Sequence, residues 1–144
     1  TVLVEGDDMN EPVADAARGI LDGHVVMSRK LASRGHFPAV DPLESISRLA
    51  DQVSDRNHEV ARRRVLELLA AHRESEELIN IGAYAAGSNV MTDVAIALKP
   101  RLDAFLRQDR GDCSTFPATC KTLFELAAES EQLRAAASGA KPQN

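Results

Sequence analysis

The spacing of hydrophobic positions changes near residue 50. Upstream, short apolar runs alternate with short helical stretches; downstream, apolar residues recur at three and four almost throughout. Thr1–Glu5 (TVLVE), apolar and ended by Gly6-Asp7-Asp8, reads as a buried strand and a turn. Pro12 suits the first turn of a helix running to about Asp22, with Gly23 as its stop. Val25-Val26-Met27 reads as a second short strand. Ser28 caps a helix through Arg34, ended by Gly35. Pro38 pushes Phe37 out of helical geometry, so residues 37–40 are extended. Asp41-Pro42-Leu43-Glu44 then offers a cap, an N1 proline and an N3 carboxylate, which predicts a short helix to about Leu49.

The rest reads as three helices. Arg56–Ile81 places Ala61, Val65, Leu68, Leu69 and His72 on one stripe. Val90–Gln108 repeats Met91, Val94, Leu98, Leu102 and Phe105, with Pro100 inside it predicting a kink or a restart. Phe116–Ala135 would bury Phe116, Cys120, Leu123, Phe124 and Ala127. Gly82–Asn89 and Asp109–Thr115 are the joining loops, and the chain from Ala136 is expected to fray.

Composition narrows the class. The 144 residues are 44% hydrophobic and 27% charged, enough to bury a core and too apolar for a disordered chain. No apolar run reaches the roughly 18 residues of a membrane span. The net charge of -5 argues against general affinity for nucleic acid. A lone strand would leave its backbone groups unpaired, so the first third reads as the end of a larger α/β sheet. The chain does not begin with Met, which hints that something precedes it. The expected fold class is mixed, the end of an α/β domain followed by an all-α bundle.

The chemistry is incomplete. There is no G-x-x-x-x-G-K-[ST] phosphate loop and no G-x-G-x-x-G fingerprint. The four His and the two Cys, 113 and 120, lack metal-ligand spacing, so no metal site is expected. No Ser/His/Asp set assembles. Three local features ask for explanation. Arg48 is either a solvated surface cation or a guanidinium held for phosphate or carboxylate. Phe37, in a Gly-His-Phe-Pro turn, either packs in the core or offers a platform for a base. On composition alone the acidic turn of Asp7, Asp8, Asn10 and Glu11 is a solvated turn with helix-start carboxylates.

A resemblance weighs on these choices. Glu5-Gly-Asp-Asp-Met-Asn-Glu-Pro12, Leu21-Asp-Gly-His24, Ser28-Arg29, Gly35-His-Phe-Pro-Ala39 and Ser45-Ile-Ser-Arg48 are in the family order. Ile81-Gly-Ala-Tyr84, Gly87-Ser88 and Phe105-Leu-Arg-Gln108 follow. Over Val2 to about Leu126 the chain strongly resembles the type III secretion ATPases, especially the flagellar export ATPase, relatives of the catalytic subunit of rotary ATP synthases.

The resemblance implies the C-terminal part of a longer enzyme. Residues 1–50 would end a RecA-like P-loop domain, 51–135 would form the helical domain, and 136–144 a flexible tail. The phosphate loop, Walker B aspartate and catalytic glutamate would lie upstream, so the chain alone would not hydrolyse ATP. ATP and Mg2+ would be bound by the full-length enzyme, a homo-hexamer with nucleotide at each interface. Arg48 matches the arginine finger that reaches a neighbour's nucleotide. Phe37 matches the aromatic that stacks on adenine, and Phe116, by its spacing from Phe105, a second adenine contact. Asp7, Asp8, Asn10 and Glu11 match a pore loop that meets a central stalk. The Ala85–Asp93 loop stands where ATP synthases carry an acidic lever, here with Asp93 its one acidic residue. The implied partners are stalk and stator-type export proteins, export chaperones and their substrates, and the export gate. The implied place is the cytoplasm, peripheral at the inner-membrane base of the flagellum. Two alternatives remain: a non-enzymatic helical docking module, and an injectisome ATPase or ATP synthase subunit.

Overall fold

The computed structural model describes residues 11–139. The expected strand at Thr1–Glu5, its turn, and Asp7, Asp8 and Asn10 lie outside them. The order of elements is α1 (Pro12–Ile20), β1 (Gly23–Met27), α2 (Arg29–Ser33), β2 (Val40–Ser47), α3 (Ala50–Val53), α4 (Arg56–Asn80), α5 (Val90–Leu106) and α6 (Phe116–Gly139). The described residues hold one two-stranded antiparallel sheet and are otherwise mostly helical.

The helix expected at Asp41–Leu49 is a strand instead, and the reason is local. Asp41 does cap: its Oδ1 accepts from the Leu43 and Glu44 amides at 2.9 and 3.3 Å. The turn so begun never propagates. Ser45 Oγ donates to the Asp41 carbonyl at 2.6 Å and accepts the Val26 amide at 3.0 Å, returning the chain to β1. Val26 pairs with Asp41 and His24 with Ile46, so Val25 alone faces the bulged stretch 42–45. Gly23 likewise is a strand residue rather than a helix stop, since α1 ends at Ile20. A Cβ there would stand 2.5 Å from the Ile46 carbonyl oxygen, so the pairing requires glycine.

Helices α4, α5 and α6 form a three-helix bundle. Its core is Ala61, Val65 and Leu68 from α4, Val94, Ala95, Leu98 and Leu102 from α5, and Leu123 and Leu126 from α6. Asp55 caps α4 by accepting the His58 amide, and Asn89 caps α5 by accepting those of Met91 and Thr92. α5 runs unbroken through Pro100, so the expected restart does not occur. In α6 Leu123 is buried as expected, together with Leu126 and Ser130, and Ala127 packs against the core, but the two Phe rings expected there are not buried. Phe116 is 71% exposed and Phe124 38%, because these rings lie beside the seam with α4, edging His58, rather than in it. The helix also continues past Ala135 through a run of alanines, the best helix formers.

Gly82 explains the Ile-Gly-Ala-Tyr motif. Its φ of 70° stops α4, and the Ala83 and Tyr84 amides close on the Leu78 carbonyl. Asp93 then ties the loop from within, accepting from the Tyr84 hydroxyl at 3.0 Å and the Gly87 amide at 3.0 Å. The loop's single carboxylate is thereby engaged inside the loop.

Candidate functional site

Arg48 follows the end of β2, where its amide donates to the Asp22 carbonyl at 2.8 Å. Its exposed guanidinium donates to the Gly19 and Arg18 carbonyls, each at 3.1 Å. These are C-terminal carbonyls of α1, which lack helical partners and favour a cation. The side chain is thus aimed by α1 while remaining open to solvent.

Phe37 is 56% exposed, on the loop between α2 and β2. Its carbonyl accepts the Gln108 amide at 2.9 Å, which seats the loop on the C-terminal end of α5. Pro38, Phe105, Gln108, Ser114 and Thr119 line a cavity of about 510 Å³ there. Phe116 opens α6, its ring 5.8 Å from that of His58. With Pro42, Phe105 and Cys120 it borders an apolar cavity of about 250 Å³. The two cavities share Phe105, Leu106 and Thr119, and Phe116 lines the second. Neither Phe37 nor Arg48 lines either cavity; Phe37 is tied to the end of α5 through its carbonyl. Glu11 is the cap residue of α1 and makes no side-chain cap bond.

Sequence reasoning missed the polar junction between the first elements and the bundle. Glu76 of α4 accepts from Lys30 at 2.6 Å and from Arg34 at 2.5 Å, both on α2 or its end. Arg73 donates to both oxygens of Asp41 at 2.7 Å and to Glu44 at 3.1 Å. A cavity of about 450 Å³ lies along this junction, with His36, His72, Lys99 and Asp103 on its walls. Helical spacing places Lys30 with Arg34, and Arg73 with Glu76, on common faces, but such spacing names no partner across the junction.

The junction has a defined acid response. Lys30 first, then Arg34, holds the Glu76 carboxyl well below the usual carboxylate range, at about 2. Burial pushes the Asp41 carboxyl up, but the Arg73 guanidinium and the Leu43 and Glu44 amides outweigh it and hold the group low. A folded-state pKa below the unfolded value stabilises above the unfolded pKa, and the contribution is lost as pH falls through the folded one. Stability is therefore expected to fall between about pH 4.5 and about pH 2 through Glu76. Glu76→Gln should flatten that stretch of a denaturation-versus-pH curve; an unchanged slope would remove the clasp from the account. Lys30 and Arg34 are more than half exposed, so added salt weakens the effect.

Among the described residues no group of His, Cys, Asp and Glu could hold a metal ion, and no helix is long and apolar enough to cross a membrane.

Comparison with known proteins gives the class first. Residues 1–47 match the nucleotide-binding domain of the ATP synthase alpha/beta family. Residues 54–125 match the C-terminal domain of the type III secretion EscN ATPase, and the chain belongs to this type III secretion ATPase family. It is 46% identical over 129 residues to the type 3 secretion system ATPase of Pseudomonas syringae pv. syringae, covering 90% of this chain and 29% of that protein. It is 47% identical over 131 residues to the flagellum-specific ATP synthase of Bacillus subtilis strain 168, covering 91% and 30%. The assembled ATPase EscN of enteropathogenic E. coli superposes with a TM-score of 0.83 at 38% identity, over 88% of this chain and 31% of that one. EscN in complex with its central stalk EscO superposes at 0.76 and 36% identity, over 81% and 29%. The chain thus spans about 30% of the length of the curated relatives it matches. Identity does not separate the flagellar from the secretion-system branch.

Proposed function

We propose that this chain is the C-terminal portion of a ring-forming export ATPase, a homo-hexamer that couples ATP hydrolysis to flagellar or type III protein export. Residues 1–50 close its RecA-like nucleotide-binding domain and residues 51–135 form its helical domain. The observation that supports the reading is the anchoring of these side chains on different elements: Arg48 on the C-terminus of α1, the Phe37 loop and Phe116 at the end of α5. A site shared between neighbours needs the base contacts of one subunit and the cation of the next, which suits their placement on different elements of one chain. Arg48 reaches the adjoining nucleotide and stabilises charge on the transferred phosphoryl group. Phe37 and Phe116 contact the adenine of this subunit's own ATP. Mg2+ and the phosphates are held by residues other than those described. The pore loop of Asp7, Asp8, Asn10 and Glu11 meets a central stalk, as the stalk complex of EscN supports. Stator-type export proteins, chaperones, substrates and the export gate are its other partners, at the cytoplasmic base of the apparatus.

Phe37→Ala in the full-length ATPase is expected to weaken ATP affinity about tenfold, the loss of one aromatic stacking partner. Titration of a fluorescent ATP analogue reads this directly, and unchanged affinity removes Phe37 from the site.

A groove between α4 and α6 favours a second role, docking. Val60 and Phe124 are exposed along it, beside Ala127 and Ala128, with Arg56, Arg64 and Glu131 at the rim. The helical domain would bind export chaperones there without any chemistry of its own. Competition between the isolated chain and the full-length enzyme for a chaperone–substrate pair distinguishes that role.

A further inference from the structure

We propose that His36 is a positioning residue that fixes the Phe37 ring by fastening its loop to the end of α5. The inference rests on the reading of Phe37 as a base-stacking platform. The loop drives two neighbouring rings in opposite directions: His36 is 5% exposed and Phe37 56%. The buried imidazole and Leu106 line the same cavity, and the Leu106 carbonyl is the backbone acceptor that acts on the ring. That carbonyl is in the last turn of α5, where helical acceptors go without helical partners. One residue on, the Phe37 carbonyl accepts the Gln108 amide at 2.9 Å, and on the other side the His36 amide donates to Leu31 at 3.0 Å.

The anchor is itself braced. Gln108 Nε2 donates to the Asp112 carbonyl at 3.1 Å, and the Asp109 amide donates to Asp112 Oδ2 at 3.0 Å. The Phe37 backbone is therefore held between α2 and the α5–α6 loop. Asp103, Arg107 and Lys99 face the imidazole, and burial keeps it below the usual histidine range. A neutral ring has a single N–H to offer, and Leu106 is the backbone acceptor beside it. A stacking ring held before the base arrives loses less freedom on binding, which lowers KM more than it changes kcat.

The test uses the full-length ATPase and steady-state kinetics with ATP. His36→Leu fills the volume but has no donor, and should raise KM about three- to tenfold, the worth of one hydrogen bond, with a much smaller change in kcat. His36→Asn or His36→Gln, whose amides can donate in place of one or other ring nitrogen, should recover most of the loss in at least one case. In a Phe37→Ala background His36→Leu should add nothing. The same KM penalty with and without the Phe37 ring would overturn positioning, since His36 would then act through the fold at large. If Phe37→Ala alone leaves KM unchanged, the stacking reading fails and this proposal falls with it, a result distinct from the first. Should His36→Leu not fold, Gln108→Pro removes the second anchor. Arg107 is already extended at φ −90° and ψ 144°, as the residue before a proline must be. A raised KM supports the anchor, and an unchanged KM overturns it.

Discussion

Arg48→Ala in the full-length ATPase is expected to lower ATP turnover by about 10³-fold or more, the usual worth of a finger arginine. Folding should survive the change. The two bonds that Arg48 makes to α1 are solvent-exposed, and water can replace an exposed donor at little cost. Arg48→Lys should recover little, because a single ammonium cannot both rest on α1 and reach two phosphoryl oxygens as a planar fork does. Rings assembled from Arg48→Ala subunits and subunits disabled in phosphate binding should regain part of the activity, because some interfaces would then pair an intact finger with an intact site. Turnover equal to wild type in Arg48→Ala would assign the residue to the C-terminus of α1 and nothing else.

Leu68→Ala is expected to destabilise the bundle by about 2–5 kcal/mol, the transfer term plus the cavity left behind. Leu68, Leu102 and Leu126 come from the three different helices and are 0%, 0% and 1% exposed, so no water reaches the space vacated and no single helix can relax to fill it. Chemical denaturation followed by circular dichroism measures the loss. A cost below about 1 kcal/mol would mean that the helices close over the cavity, contrary to the packing described.

The helices were legible where periodicity is long. Three and four spacing over Arg56–Asn80 and Val90–Leu106 located both elements and most of their core, because a buried stripe must recur with the helix period. Short elements were not. Asp41 genuinely caps a turn, and only Ser45, by bonding Val26 across the sheet, decides that the turn becomes a bulge. That bond joins residues 19 apart in sequence, beyond the reach of any local pattern. The aromatics of α6 misled for a related reason: size suggested burial, while Leu126 and Ser130 join the expected Leu123 in the seam and the rings stay outside it. At the candidate site, composition and spacing left Arg48 and Phe37 with two readings each, and only the longer ordered likeness favoured one. His36 carried no signal of its own, because the group beside it at the end of α5 is a backbone carbonyl.

The polar junction has a consequence for how the molecule comes apart. The first elements meet the bundle through ion pairs and hydrogen bonds between α2, β2 and α4, while the bundle is held by aliphatic side chains. Electrolyte screens the former and leaves the latter intact or strengthened. Raising ionic strength should therefore split a single melting transition into two, the first elements loosening at lower temperature while the bundle keeps its own midpoint. One polypeptide would then show two cooperative units, divided at the clasp of Glu76 and Arg73 rather than at any break in the chain.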